Sequence, residues 1–381
     1  MKLRFAAIAA LCALSWVGAR PDATGAAPKP TSSVAHMGSP PVAILVGQPL
    51  GTSSKLYVVS IDADTSSTDA ALGTPVAKLE HIAGAAVAAV TSRSGPPSVF
   101  AIADVEDEND LSFSAALVRL RASESAKVLA DRVVHASHPV MAPDGKVLIA
   151  RGEIGQAVGA GVPRVDVLWV DAIDPETGDA RTLLSAEGYL LYVIGTSERE
   201  MLVYRVTPRG ADLVAVDLDT KRERAITAHV PDLARDFSLD PTKRTLTFLD
   251  RKPGADEANA WAITRIDLRT NVATELHSGP SISVVPFALP GGDVLVTLDP
   301  EKGASTLFGP TLALGQGVAH VAGLSSDNTF LAGVTNLPGE LGKPFVFDLE
   351  RKTGRFIDVP PGSRATVAGF VSGVAERREL P

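Results

Sequence analysis

Apolar and polar residues alternate with a period of two in short runs along most of the chain, and clusters of Gly, Pro, Asp and Asn separate the runs. That is the pattern of half-buried β-strands joined by tight turns. Residues 137–152, SHPVMAPDGKVLIARG, show the unit: a short apolar segment, the turn Pro143-Asp144-Gly145, and a denser apolar strand. Proline presets its own φ, glycine accepts positive φ, and the Asp side chain can bond the turn backbone, so a hairpin is expected. The unit recurs at Ser94-Gly95-Pro96, Ser197-Glu198-Arg199, Asp240-Pro241-Thr242, Gly291-Gly292-Asp293 and Ser326-Asp327-Asn328. Each turn precedes an apolar strand such as VFAIAD, MLVYRV or TLTFLD.

A second signature follows each one: an alternating strand ending near Asp, a polar turn, and one more strand, as in LVAVDLDTKRERAIT and FVFDLERKTGRFIDV. Every unit is therefore read as four antiparallel strands, A to D. The units repeat at intervals of about 36–53 residues, close to the ~40–50 residues of a propeller blade. No segment carries a sustained helical period with caps, which makes the chain all-β. Residues 42–79 supply strands B, C and D of a first blade without an A strand. Val367-Ala368-Gly369-Phe370 offers the missing one, since it matches Ile82-Ala83-Gly84 and Val321-Ala322-Gly323. The expectation is a seven-bladed β-propeller closed by a C-terminal strand, with six blades as the alternative if the short sixth unit, GASTLFGPTLALGQG, does not form a blade.

Pro143-Asp144-Gly145-Lys146 followed by VLIA, with His138-Pro139 upstream, is similar to the PD40 (WD40-like) repeat of TolB-like propellers. Asp240-Pro241-Thr242-Lys243 and Ser326-Asp327-Asn328 keep part of that pattern, and Met141 replaces the usual aromatic residue. The resemblance covers residues 42–374 as architecture, and TolB's α/β domain has no counterpart. It implies an exported bacterial binding scaffold and carries no specific function with it.

Composition sharpens the destination. The chain has 381 residues, 45% of them hydrophobic and 21% charged, enough to bury a sizeable core. Residues 1–19, MKLRFAAIAALCALSWVGA, set Lys2 and Arg4 before an apolar run and end on small residues, as a secretory signal peptide does. The run is too short to cross a bilayer, so no transmembrane segment is expected after cleavage. The only cysteine, Cys12, lies inside it, and the fold must hold without disulfides. Residues 20–41 read as a Pro/Ala/Ser-rich linker, 42–374 as one propeller domain and 375–381 as a tail. These features point to a periplasmic or secreted bacterial protein. Removing Lys2 and Arg4 takes the formal charge from −8 to −10, and no basic run exists, so nucleic acid is a poor partner.

Six of seven histidines, His81, His135, His138, His229, His277 and His320, fall where one blade ends and the next begins. In a propeller the D-to-A and B-to-C connections share a face, and strand A lines the channel. His138, His229, His277 and His320 are accordingly metal-ligand candidates, since neutral imidazole suits Zn²⁺ or Mn²⁺; the plain alternative is that polar loop positions accept histidine. The acidic run at residues 104–110 lacks calcium-loop spacing and reads as solvated. Asp62, Asp171, Asp217, Asp267 and Asp348, which end C strands, read as turn formers. No Gly-x-Ser-x-Gly, His-Glu-x-x-His or phosphate loop occurs, so no cofactor is expected. The long B-to-C connections, 152–164, 251–260 and 335–343, mark one face for binding, with His135, His138, Arg151, Glu153, Arg251 and His320 as its candidate contacts. The function expected is an exported, monomeric, non-enzymatic scaffold for a protein or envelope component. The alternative is a carbohydrate-active lyase or hydrolase-like enzyme with a histidine-lined channel mouth.

Overall fold

The computed structural model describes residues 39–371 apart from 48–52, 60–68, 72–74, 76, 81–86, 91–97, 105–114, 122–123, 135–136, 156–163, 231–233, 253, 281–283, 310–311, 313, 315 and 337–341. The signal peptide, nearly all of the linker, the acidic loop beyond Asp104, His81, His135 and the tail lie outside these residues. The chain is all-β, with only two single 3-10 turns, at Glu257–Asn259 and Pro290–Gly292, among the described residues. No helix there is long and apolar enough to cross a membrane.

The strands group into seven antiparallel units, of which blades 2 and 3 are joined into one sheet by the pairing of Val133 with Arg151. Blade 1 takes Arg364–Phe370 as strand A, then Val42–Gly47, Ser53–Val59 and Ala77–Glu80. Blade 2 is Val87–Val90, Ser98–Asp104, Ala115–Arg121 and Lys127–Val133; blade 3 is Val140–Met141, Val147–Glu153, Asp166–Ile173 and Ala180–Gly188. Blade 4 runs through Leu190–Ser197, Glu200–Thr207, Gly210–Asp217 and Glu223–Val230, and blade 5 through Arg235–Leu239, Thr245–Arg251, Trp261–Asp267 and Ala273–Gly279. Blade 6 has three described strands, Phe287–Ala288, Val294–Asp299 and Gly303–Thr306. Beyond them Leu312 and Leu314 are buried, and Leu312 N–H donates to Ala304 O. Blade 7 is Val318–Leu324, Phe330–Asn336, Lys343–Asp348 and Thr353–Asp358.

Strand A of blade 1 comes from the far end of the chain, pairing antiparallel with Val42–Gly47, with Ile44 opposite Val367. Consecutive A strands touch from blade 1 round to blade 6, and strand A of blade 7 touches that of blade 1, which closes the ring. The sheets pack face to face through apolar clusters. Ala365 and Val367 bury against Phe330 and Val346 of blade 7, while Ala368 and Val371 bury against Val99 and Ala101 of blade 2. Alternate residues face the two neighbours, and a one-residue bulge at Ala368 shifts the alternation beyond it, so that Phe370 lies on the blade 7 side and Val371 on the blade 2 side. The same one-residue bulge recurs at Ile194 and Ala322, so the repeated apolar-apolar-Gly signature marks the bend of the innermost strand.

Local turn chemistry is as the residues dictate. Gly145, at φ +86, donates its N–H to Ala142 O at 2.9 Å, and Asp144 accepts the N–H of Lys146. Asp217 accepts backbone N–H groups from Asp219 and Thr220, Asp267 from Arg269 and Thr270, and Asp348 from Glu350 and Arg351. Asp171 corrects the turn-former reading, for the turn belongs to Asp174 three residues later. Asp171 is buried inside strand C of blade 3 and accepts from Arg151 Nη1 (2.7 Å), Trp169 Nε1 (3.0 Å) and Thr182 Oγ1 (2.7 Å). Blade 1 adds a device of its own: Asp69–Ala71, from its C-to-D connection, pairs parallel with Thr353–Asp358 and covers the outer edge of blade 7.

Candidate functional site

Strand polarity defines two faces. The A-to-B and C-to-D turns emerge on one; the D-to-A and B-to-C connections emerge on the other, where every A strand begins. Near those beginnings stand His138, Tyr192, Arg235, Asp236 and His320, on blades 3, 4, 5, 5 and 7. Trp261 opens strand C of blade 5 on the same face. These six residues lie toward one face of the ring, five at the starts of innermost strands and Trp261 two strands farther out, and this region is called the channel mouth.

Their contacts run continuously through blades 3 to 5. The His138 ring meets Tyr192 edge-on at 5.2 Å between centroids, and Tyr192 leads through Phe237 to Tyr204 and Phe248. Arg235 lies over the indole of Trp261 at 5.3 Å and brings Nη1 within 3.3 Å of Asp236 Oδ2. That approach lacks hydrogen-bond geometry, and Asp236 Oδ2 is buried without a hydrogen-bond partner. Asp236 also has φ +54, an uncommon conformation for a residue bearing a side chain. It sits in the strand A bulge of blade 5, where Arg235-Asp236-Phe237-Ser238 replaces the apolar-apolar-Gly signature of other blades.

Electrostatics follow from concavity. His138 and His320 both keep solvent contact although protein atoms crowd around them. This enclosure disfavours the imidazolium, pushing His138 down to about 4 and His320 below its ordinary range, with Arg235 adding to the second shift. Burial raises the Tyr192 phenol, assisted by the charge of Asp236. Burial likewise raises the Asp236 carboxyl, with Arg235 pulling the other way. At neutral pH the mouth thus combines two neutral imidazoles with one guanidinium beside one carboxyl group.

The metal candidates divide. His138 and His320 stand just before or at the start of innermost strands, whereas His229 and His277 lie in the outermost strands of blades 4 and 5. Three strand spacings, roughly 14 Å, separate an A strand from the D strand of its blade. Among the described residues no three His, Cys, Asp or Glu side chains gather in a metal-holding group. The other face candidates already have partners: Arg151 is bonded to Asp131 and Asp171 and stacked on Trp169, and Glu153 pairs with Arg132 at 3.0 Å. Arg251 is exposed at the end of strand B, opposite Trp261. Sequence reasoning missed Tyr192, Arg235, Asp236 and Trp261. The available signal was the charged pair Arg235-Asp236 at a bulge position where blades 1, 4 and 7 carry the apolar-apolar-Gly signature.

Asp250, at the end of strand B in blade 5, has a buried oxygen without a hydrogen-bond partner. Burial, with Glu275 nearby, pushes its carboxyl up to about 6. The folded protein therefore holds this proton more tightly than the unfolded chain does, and ionising Asp250 costs stability above pH 6. Asp250→Asn is expected to gain about 1–2 kcal/mol at pH 7.5, with solvent screening allowed for. The gain shrinks as pH falls through 6 and is gone below about 4, where wild type is protonated in both states. Urea unfolding of both proteins at pH 7.5 and 4 checks this; an equal gain at the two values contradicts it.

No protein-family model matches the sequence, and no curated protein matches it. Solved structures do resemble it. TolB from Acinetobacter baumannii has a TM-score of 0.46 at 9% identity, over 86% of this chain and 66% of that one. An oligogalacturonate lyase in complex with manganese gives 0.40 at 12% identity, over 82% and 77%. A prolyl endopeptidase gives 0.47 at 12%, over 86% and 50%. The ring assignment rests on the strand pairing of this chain itself.

Proposed function

We propose that this protein is an exported, non-enzymatic propeller scaffold of the TolB-like kind, periplasmic or secreted, which binds a protein or cell-envelope component on the face carrying the channel mouth. The asymmetry of the two faces carries the reading. On the opposite face, turns such as those at Asp174, Asp217, Asp267 and Asp348 are short and locked by Asp side chains on backbone N–H groups. The mouth face bears the ends of the B strands and the starts of the C strands of blades 3, 5 and 7, whose connections are long in the sequence, together with a partly exposed Arg, Trp, Tyr and two His. Aromatic residues and arginine are the side chains that dominate binding energy at protein interfaces. A rigid ring presenting loops and such anchors on one side is suited to capture.

The second reading, a carbohydrate-active lyase or hydrolase-like enzyme, is favoured by one observation: His138, Tyr192, Asp236 and His320 bring groups of acid–base chemistry to a single mouth. Capture by the immobilised protein from an envelope extract separates the two. Arg235→Ala with Trp261→Ala is expected to lower recovery of the captured component at least tenfold. Lys221→Glu with Arg222→Glu, in the C-to-D turn of blade 4, leaves recovery unchanged. The turn at Pro175–Asp179 is unsuited as that control, because Pro175 O and Glu176 bind Arg119 and Arg121 and so tie blade 3 to blade 2. Loss of capture in the Lys221/Arg222 variant alone moves the function to the other face, and release of new reducing ends from envelope polysaccharide favours the enzyme.

A further inference from the structure

We propose that the A-to-B and C-to-D turns of blades 5 and 6 form a second docking surface, which holds an acidic, leucine-bearing segment of a partner protein through Arg244, Arg269, Val272 and Phe308. This surface lies on the face opposite the channel mouth and does not depend on the mouth-face reading.

The sequence has no basic run, but the fold assembles a basic surface from two turns. Lys243 and Arg244 lie in the A-to-B turn of blade 5, and Arg269 lies in its C-to-D turn. Leu268 N–H donates to Arg244 O at 2.9 Å, which ties the two turns together. All three basic side chains are exposed. The neighbouring carboxylates are spent on the backbone: Asp240 accepts N–H groups of Thr242, Arg244 and Thr245, and Asp267 accepts those of Arg269 and Thr270. Asp side chains used in this way hold their turns in shape. Lys243 Nζ reaches Thr196 Oγ1 at 3.4 Å, whereas the guanidinium groups of Arg244 and Arg269 meet no hydrogen-bonding or ionic partner among the described residues. Blade 4 differs, for its turns set exposed Glu198, Asp219 and Glu223 against Arg199, Lys221 and Arg222.

Apolar side chains stand beside these cations. Val272 and Phe308, at the C-to-D corners of the adjacent blades 5 and 6, are 59% and 63% exposed. Phe308 N–H donates to Asp293 Oδ1 at 3.2 Å, and Arg265 Nη2 donates to Gly292 O at 2.7 Å, so the corner of blade 6 is joined to blade 5. Aromatic residues and arginine are enriched where proteins meet, and a guanidinium matches a carboxylate with two parallel hydrogen bonds. The rest of the face selects the occupant. Blade 3 presents exposed Asp144, Glu176 and Asp179 there, so a flat anionic membrane would meet like charge, while a segment covering two blades would not. Val272 and Phe308 suit leucine side chains between the acids of a polypeptide and have little to bury against an anionic polysaccharide.

The test is fluorescence anisotropy of the purified full protein with a fluorescein-labelled peptide of four Asp-Glu-Leu repeats. The peptide binds, and binds more weakly as added salt screens exposed charges. Arg244→Gln with Arg269→Gln, which removes two charges and no printed contact of the fold, weakens binding about fivefold and leaves the melting temperature unchanged. Phe308→Ser, on the other blade, weakens binding independently of the arginines. A peptide with Asn and Gln in place of Asp and Glu, or with Ser in place of Leu, binds more weakly than the parent. Absence of binding, equal binding by the Asn/Gln peptide, or unchanged affinity in either protein variant overturns the proposal. Arginine-dependent binding to phosphatidylglycerol vesicles, with the peptide inert, also overturns it and assigns the surface to a membrane. Mouth-face capture is measured with different variants, so either reading can fail alone.

Discussion

Deleting residues 364–381 leaves a chain that does not fold to a stable monomeric ring. Strand A of blade 1 is a wedge as well as a strand. It completes one sheet by six residue pairs with Val42–Gly47 and packs one side on blade 7 and the other on blade 2. Val367, Val371 and the Ile44 that the strand covers are each at least 94% buried. Re-exposing side chains of this size costs about 1.5–3 kcal/mol apiece, so the three approach the roughly 5–15 kcal/mol by which a whole domain is stable. The open edge of Val42–Gly47 adds a template for association. Deleting only residues 375–381 is the control and leaves unfolding unchanged. Thermal unfolding and size-exclusion chromatography distinguish the outcomes. A monomeric 364–381 deletion with the wild-type midpoint contradicts the closure.

Gly333→Ala is expected to be strongly destabilising for the addition of a single methyl group. Gly333, in strand B of blade 7, faces strand A so closely that a Cβ would stand 2.3 Å from His320 O and 2.9 Å from Val321 Cα. Both obstacles are backbone, so no side chain can rotate out of the way. The two strands must separate, at a cost of roughly 2–4 kcal/mol. Gly145→Ala is the informative comparison. At φ +86 with nothing within 4 Å of its Cβ, it meets conformational strain alone, of about 1 kcal/mol. Gly333→Ala therefore melts several degrees below Gly145→Ala. It also moves His320, whose imidazole titrates nearer its ordinary value as the wall loosens. Equal melting points for the two variants contradict the close approach.

The architecture was legible because a blade is a local object. Period-two strands and turns such as Pro143-Asp144-Gly145 are written in consecutive residues, and the kinship of Val367-Ala368-Gly369 with Val321-Ala322-Gly323 exposed even the long-range closure. That kinship has a physical basis in the bulge that both share. The mouth was less legible because it is assembled from single residues on different blades. Tyr192 and Arg235 have no local pattern that tells a channel wall from a sheet interface, and Trp261 meets Arg235 only through the fold of blade 5. Asp171 shows the reverse error: it looks like the strand-terminal Asp of other blades, yet here the strand runs on two residues past it to Ile173, and the carboxylate falls inside it, against Arg151 and Trp169.

The ring is tested most directly by joining its two ends. Gly47 and Arg364 face each other across the pair that closes blade 1, although more than three hundred residues separate them in the chain. Directly opposed residues of an antiparallel pair have Cβ atoms about 4.5–5.5 Å apart, within reach of a disulfide after slight adjustment. In a chain with Cys12 replaced by serine, Gly47→Cys with Arg364→Cys is expected to form an intramolecular disulfide under mild oxidation. The protein then runs faster on a non-reducing gel and unfolds at a higher temperature than its reduced form. Free thiols that persist under oxidation, or crosslinks only between separate chains, would contradict the closed ring.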